Sequence, residues 1–95
     1  MNIHEILWLP RFEDKIWIKY HVLPVEVEDM LFGKPRILFA EKGVEPGEDL
    51  YVAYGHTMSG RYLTVYFIRK SGSVALILSA RDMDKKERKR HGKRK

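Results

Sequence analysis

From residue 36 onward the chain carries the pattern of β-structure. Arg36-Ile-Leu-Phe-Ala40, Leu50-Tyr-Val-Ala-Tyr54, Tyr62-Leu-Thr-Val-Tyr-Phe-Ile68 and Val74-Ala-Leu-Ile-Leu78 are four runs rich in β-branched and aromatic side chains, separated by turn residues. Strands with short connections pair antiparallel, because a parallel return needs a crossover of a dozen or more residues. Ser59-Gly60 and Ser71-Gly72 suit tight hairpins, while residues 41–49, with Gly43, Pro46, Gly47 and several acids, form a longer loop. The expected product is an antiparallel meander. In its third run Leu63, Val65 and Phe67 alternate with Tyr62, Thr64 and Tyr66, so one face can pack on helices while the other stays partly wet.

The first 35 residues read differently. Glu5-Ile-Leu-Trp-Leu9 is a short apolar strand or extended segment closed by Pro10. Phe12, Ile16 and Trp17 then recur at helical spacing among Glu13, Asp14, Lys15 and Lys19, predicting an amphipathic helix over residues 11–20. Pro24 opens a second helix with Val25, Val27, Met30 and Leu31 as its apolar face and Glu26, Glu28 and Asp29 early in its length; Gly33 and Pro35 end it. Near the C-terminus, Asp84-Lys-Lys-Glu87 has the spacing of a capping box and predicts a short basic helix. Its apolar content is little more than Met83 and the Lys/Arg stems, so either its start docks it or a partner orders it. Gly92 to Lys95 reads as a tail. The chain as a whole, 1–95, is expected to be one α+β domain, with two N-terminal helices and a C-terminal basic helix on a twisted antiparallel sheet.

Charge separates the body from its end. Residues 81–95 hold nine Lys/Arg against three Asp/Glu, leaving nine against ten for the rest. Positive charge gathered at one end suits a polyanion, although an acidic protein or an anionic membrane surface answers to the same field. No apolar run of about twenty residues is present to span a bilayer, and the N-terminus lacks the features of a signal peptide, so a cytoplasmic protein with no membrane partner is expected. The absence of cysteine excludes disulfides and thiolate chemistry. His4, His21, His56 and His91 show no ligand-like spacing, so neither a metal site nor a cofactor is expected. Glycine-rich phosphate loops and Ser/His/acid signatures are missing as well.

Arg61, Arg81, Glu87 and His91 form a set suited to phosphodiester chemistry. Cleaving RNA without a metal requires a base for the 2′-hydroxyl proton, cations for the charge developing at phosphorus, and an acid for the leaving 5′ oxygen. Arginine offers permanently charged planar donors, and Glu or His can carry protons. Lys85, Lys86, Arg88, Lys89 and Arg90 would then dock the RNA backbone. The plain alternative makes Arg61 an ordinary exposed strand residue, Glu87 a cap and the basic run a solvated face. His21 by itself reads as the C-terminus of the first helix, where a partly cationic ring is favourable.

Gly60-Arg-Tyr-Leu-Thr-Val-Tyr66, followed by Val74-Ala-Leu-Ile-Leu-Ser-Ala-Arg-Asp-Met-Asp-Lys-Lys-Glu-Arg-Lys-Arg-His91, resembles the C-terminal half of the BrnT family, toxins of type II toxin–antitoxin modules. Upstream, Trp8-Leu9-Pro10, Lys19, Val22 and Leu31-Phe32 are similar with lower specificity. The resemblance implies a RelE-like fold and an endoribonuclease that inhibits translation, and it makes Lys19 and His21, in the segment where the family reads Lys-His-Gly-Val, further RNA contacts. Its RNA target would be messenger or ribosome-associated, and its partner a small DNA-binding antitoxin, in an assembly such as a heterotetramer. The chain departs from the family pattern at Leu9, at Tyr20-His21, at Leu50 and at His91, where the family carries Tyr. A catalytically inactive module of the same fold, binding nucleic acid or an antitoxin through the basic helix, is the main alternative. An interaction protein whose basic end meets an acidic partner is a third.

Overall fold

The computed structural model describes residues 1–92. In chain order the elements are β1 (Glu5–Leu7), α1 (Pro10–Tyr20), α2 (Pro24–Phe32), β2 (Arg36–Glu41), β3 (Leu50–His56), β4 (Tyr62–Arg69), β5 (Val74–Asp82) and α3 (Lys85–Gly92). They build a five-stranded sheet in the order β1-β5-β4-β3-β2. The four expected strands form the antiparallel meander. β1 joins it parallel to β5, with Ile6 opposite Ala75, so the whole sheet is mixed. Chain length permits this parallel pairing, since two helices and three strands separate β1 from β5. β1 stops at Leu7 because Trp8 turns away, its indole donating to Glu28 at 3.1 Å, and Pro10 starts α1 without needing an N–H partner.

α1 and α2 cover one face of the sheet. Ile16, Val22, Val27, Met30 and Leu31 pack there on Ala53, Leu63, Val65, Phe67, Ala75, Ile77 and Ala80. The inward residues of α2 are Val27, Met30 and Leu31, which leaves Val25, expected on the apolar face, in solvent. Trp17 is likewise exposed, its ring edge set against His21. A side chain at Gly55 would place its Cβ 2.8 Å from Met30 Sδ, so glycine there lets α2 approach β3.

The β3–β4 hairpin turns at Met58-Ser59-Gly60, closed by Thr57 and Arg61, with Gly60 at φ 94° in the conformation glycine tolerates. β5 runs beyond its expected end at Leu78 to Asp82, because β4 offers partners as far as Leu63. Its register against β4 shifts by one: Phe67 faces Ile77 and Tyr66 faces Ser79, leaving Leu78 as the extra residue of a β-bulge. Ile77 and Ala80 therefore both point into the core although they are three positions apart. Strict alternation would have put Arg81 on Ile77's side, inside the core. The bulge turns it to the opposite, open face.

Asp84 and Glu87 close the expected capping box: the Glu87 N–H donates to Asp84 at 2.8 Å, and the Asp84 N–H donates to Glu87 Oε1 at 2.9 Å. α3 follows and has no buried residue. Gly92, expected to begin a tail, closes this helix instead, and 93–95 lie outside the described residues. Among the described residues no helix is long and apolar enough to cross a membrane.

Candidate functional site

On the open face, pairing aligns Arg36 with Tyr54, Tyr54 with Thr64 and Thr64 with Arg81, one row across four strands. α3 starts over the β5 end of this row, and its last turn reaches the side of Tyr54 and Arg36. Arg81 donates from Nη1 to Glu87 Oε1 at 2.7 Å and from Nη2 to Glu87 Oε2 at 2.9 Å, a bidentate charge-assisted pair. Thr64 Oγ1 donates to the same Oε1 at 3.0 Å. One carboxylate thus joins β4, β5 and the start of α3.

The rest of α3 is seated on Tyr62. The Arg88 guanidinium lies 4.0 Å from the centre of that ring, and the His91 ring stands edge-on to it at 5.8 Å. Arg36, Tyr54, Glu87, Arg90 and His91 enclose a cleft of about 20 Å³. That is room for a water and far too little for a nucleotide.

Electrostatics follow from the pair. Hydrogen bonding to Arg81 holds the Glu87 carboxyl below its ordinary range, against the opposing effect of burial and with help from the Asp84 N–H and Thr64. Arg81 is in turn held more firmly protonated, chiefly by Glu87, with Tyr66 beside it contributing. Burial first, and the negative charge of Glu87 second, raise the Tyr54 phenol above its usual value. The site therefore presents an ionised carboxylate, a permanent cation and a protonated phenol around neutral pH.

Of the residues expected to act together, the structure gathers Arg81, Glu87 and His91. It places Arg61 elsewhere. Its Nε and Nη2 donate to Asp82 at 2.8 and 3.1 Å, and its Nη1 donates to Glu26 at 3.0 Å and to the His21 carbonyl at 3.0 Å. Nη2 also reaches the Tyr20 carbonyl at 3.3 Å. Asp82 pairs with Leu63 on the helix-covered side, so Arg61 ties the ends of α1, α2 and β5 together on the face away from Arg81. Lys19 and His21 lie at that α1 terminus too. Lys19 rests over the Tyr20 ring, and His21 is the left-handed C-cap at φ 55°, its N–H on the Trp17 carbonyl at 2.9 Å. Lys85, Lys86, Arg88, Lys89 and Arg90 are exposed along α3.

Arg36, Tyr54, Thr64 and Tyr62 join the site without having been singled out in the sequence. Alternation in β4 does put Tyr62 and Thr64 on the wet face. The cross-strand register that brings Tyr54 and Arg36 alongside is not written in any local pattern.

Three helices on a five-stranded mixed sheet, with one sheet face open beneath a basic C-terminal helix, define an α+β architecture. It is the architecture of BrnT: the chain is similar to the crystal structure of the Brucella abortus ribonuclease toxin BrnT, with a TM-score of 0.60 and 15% sequence identity over 85% of this chain and 97% of that chain. No family model matches the sequence, and no curated protein is significantly similar to it. The likeness lies in the fold.

Proposed function

We propose that this chain is the toxin of a type II toxin–antitoxin module, a metal-independent endoribonuclease of the cytoplasm that arrests translation by cutting RNA. The observation that carries the reading is the Arg81–Glu87–Thr64 cluster on the open sheet face, bordered by the exposed cations of α3. The BrnT-like fold supports it. In the reaction the RNA 2′-oxygen attacks phosphorus and the bond to the 5′ oxygen breaks, leaving a 2′,3′-cyclic phosphate and a 5′-hydroxyl. Arg81 takes the charge building on the non-bridging oxygens. Glu87, ionised in the resting pair and released when a phosphate takes its place on Arg81, suits removal of the 2′ proton rather than its donation. His91 is the candidate for returning a proton to the 5′ oxygen. The closed cleft adds a condition: a phosphate reaches Arg81 by replacing Glu87 on the guanidinium. Lys85, Lys86 and Lys89 would hold flanking phosphates. Lys19, His21 and Arg61, on the other face, are assigned no part in the chemistry. A DNA-binding antitoxin would be the partner, assembling with the toxin as a heterotetramer, and residues 1–95 would act as one domain.

The Arg81–Glu87 pair also favours one second reading, a binding module of the same fold in which the paired arginine no longer meets a scissile phosphate. Incubating labelled RNA with the purified protein in chelator separates the two. Cleavage with cyclic-phosphate ends, lost in Arg81→Ala together with growth arrest, is expected. RNA binding that weakens steeply with salt, with no cleavage at any protein concentration, would select the binding module.

A further inference from the structure

Away from Arg81, the helix-covered side carries a surface that the proposed chemistry does not use. A groove of about 550 Å³ runs between α2 and the β3–β4 hairpin, with Met30, Phe32, Pro35 and Met58 among its walls. A shallower cleft lined by Val25 and Glu28 continues it, sharing Asp29, Phe32 and Thr57. Val25 is 63%, Phe32 53% and Met58 92% exposed, so three large apolar side chains stand in solvent around these two adjoining clefts. Clustered exposure of this kind marks a contact surface rather than scattered surface apolarity.

The rim is acidic. Glu26, Glu28 and Asp29 all belong to α2. Glu26 is paired with Arg61, but Glu28 accepts from the neutral Trp8 indole and Asp29 from the Met58 backbone N–H at 2.8 Å. Those two bonds aim the carboxylates without cancelling their charge. Among the described residues the lining cation is Lys34, at the far end.

We propose that this groove docks an amphipathic helix of a protein partner, apolar on the side entering between Phe32 and Met58 and carrying Lys/Arg over Glu28 and Asp29. α2 offers Val25 to Phe32, about 10 Å of helix, which matches two turns of a partner with anchors at i, i+3 or i+4, and i+7. Charge complementarity selects this occupant. RNA would bring phosphates against the two carboxylates. The α3 of a second copy is cationic but has no large apolar side chain to fill the groove. The proposal is independent of catalysis at Arg81.

The test titrates the isotopically labelled chain of residues 1–95 with two synthetic peptides of about fourteen residues sharing one amphipathic pattern, one Leu/Lys and one Leu/Glu, and with a single-stranded RNA oligonucleotide. The Leu/Lys peptide is expected to shift the amides of Val25 to Phe32 and of Met58. Its affinity should fall about tenfold in Phe32→Ser and also in Asp29→Asn, which keeps an acceptor for Met58 and removes only charge. Both positions lie at the surface, and unchanged spectra elsewhere verify folding. The Leu/Glu peptide should leave the groove unshifted. Equal binding of both peptides in the groove, Leu/Lys shifts elsewhere or nowhere, or RNA shifts at Phe32 and Met58 would each overturn the proposal.

Discussion

Two arginines close in sequence class have opposite fates at the scale of single residues. Arg61 and Arg81 each pair with a carboxylate, yet Arg61 distributes its donors over Asp82, Glu26 and two carbonyls at the C-terminal end of α1, whereas Arg81 gives both terminal nitrogens to the Glu87 side chain, which can let go, and beyond it reaches the Asp82 carbonyl at 3.2 Å. Arg61→Ala is therefore expected to cost about 2 kcal/mol, the scale of lost charged hydrogen bonds, and to lower the melting temperature while leaving activity per folded molecule intact. Thermal unfolding beside a cleavage assay checks both halves. Arg81→Lys should keep the charge and still lose most activity, on the order of a hundredfold, because an ammonium cannot reproduce the planar fork. A lysine variant cleaving at the wild-type rate would remove Arg81 from its role. The fate of Arg61 could not be read from its neighbours in the chain. The partners Glu26 and Tyr20 lie 35 and 41 positions from Arg61.

For α3, the consequence lies in how lightly it is attached. It buries no residue of its own and is held by Glu87 and by the contacts of Arg88 and His91 with Tyr62. Glu87 has its carboxyl pKa depressed by Arg81, so its contribution is fully present above the unfolded value of about 4.3 and is lost as pH falls through the folded value below it. Acidification should undock α3 before the sheet opens. Amide exchange is expected to rise first in 85–92, and Glu87→Gln should show the same loosening at neutral pH. Protection of α3 falling together with that of β4 at every pH would contradict this order. The helix itself was legible, since Asp84 and Glu87 announce its start. Its resting place was not, because a capping box says where a helix begins and nothing about which sheet face it meets.

On the scale of the whole molecule, charge and apolar surface are laid out on different sides. Five exposed cations of α3 border the open sheet face, and the acidic groove of α2 lies on the helix-covered side. Each of those cations that meets a phosphate should add about −0.7 to the slope of log affinity against log salt for single-stranded RNA. Lys85→Ala and Lys89→Ala are each expected to flatten the slope by that amount, and fluorescence anisotropy across a salt series measures it. An unchanged slope in both would move RNA binding off α3. The sequence by itself determined the elements: turn residues and alternation marked four strands, helical spacing and prolines marked two helices, and a capping pair marked the third. Those signals are local, acting over a few residues through backbone sterics and side-chain period. Only the tertiary structure decided what the elements bring together. The bulge at Leu78 shifts β5 by one residue and moves Arg81 from the core side to the open face, and strand register sets Tyr54, Thr64 and Arg36 in a row with it. Register depends on pairing between distant segments, and a one-residue slip inverts every side chain, so the site exists only once the sheet has closed.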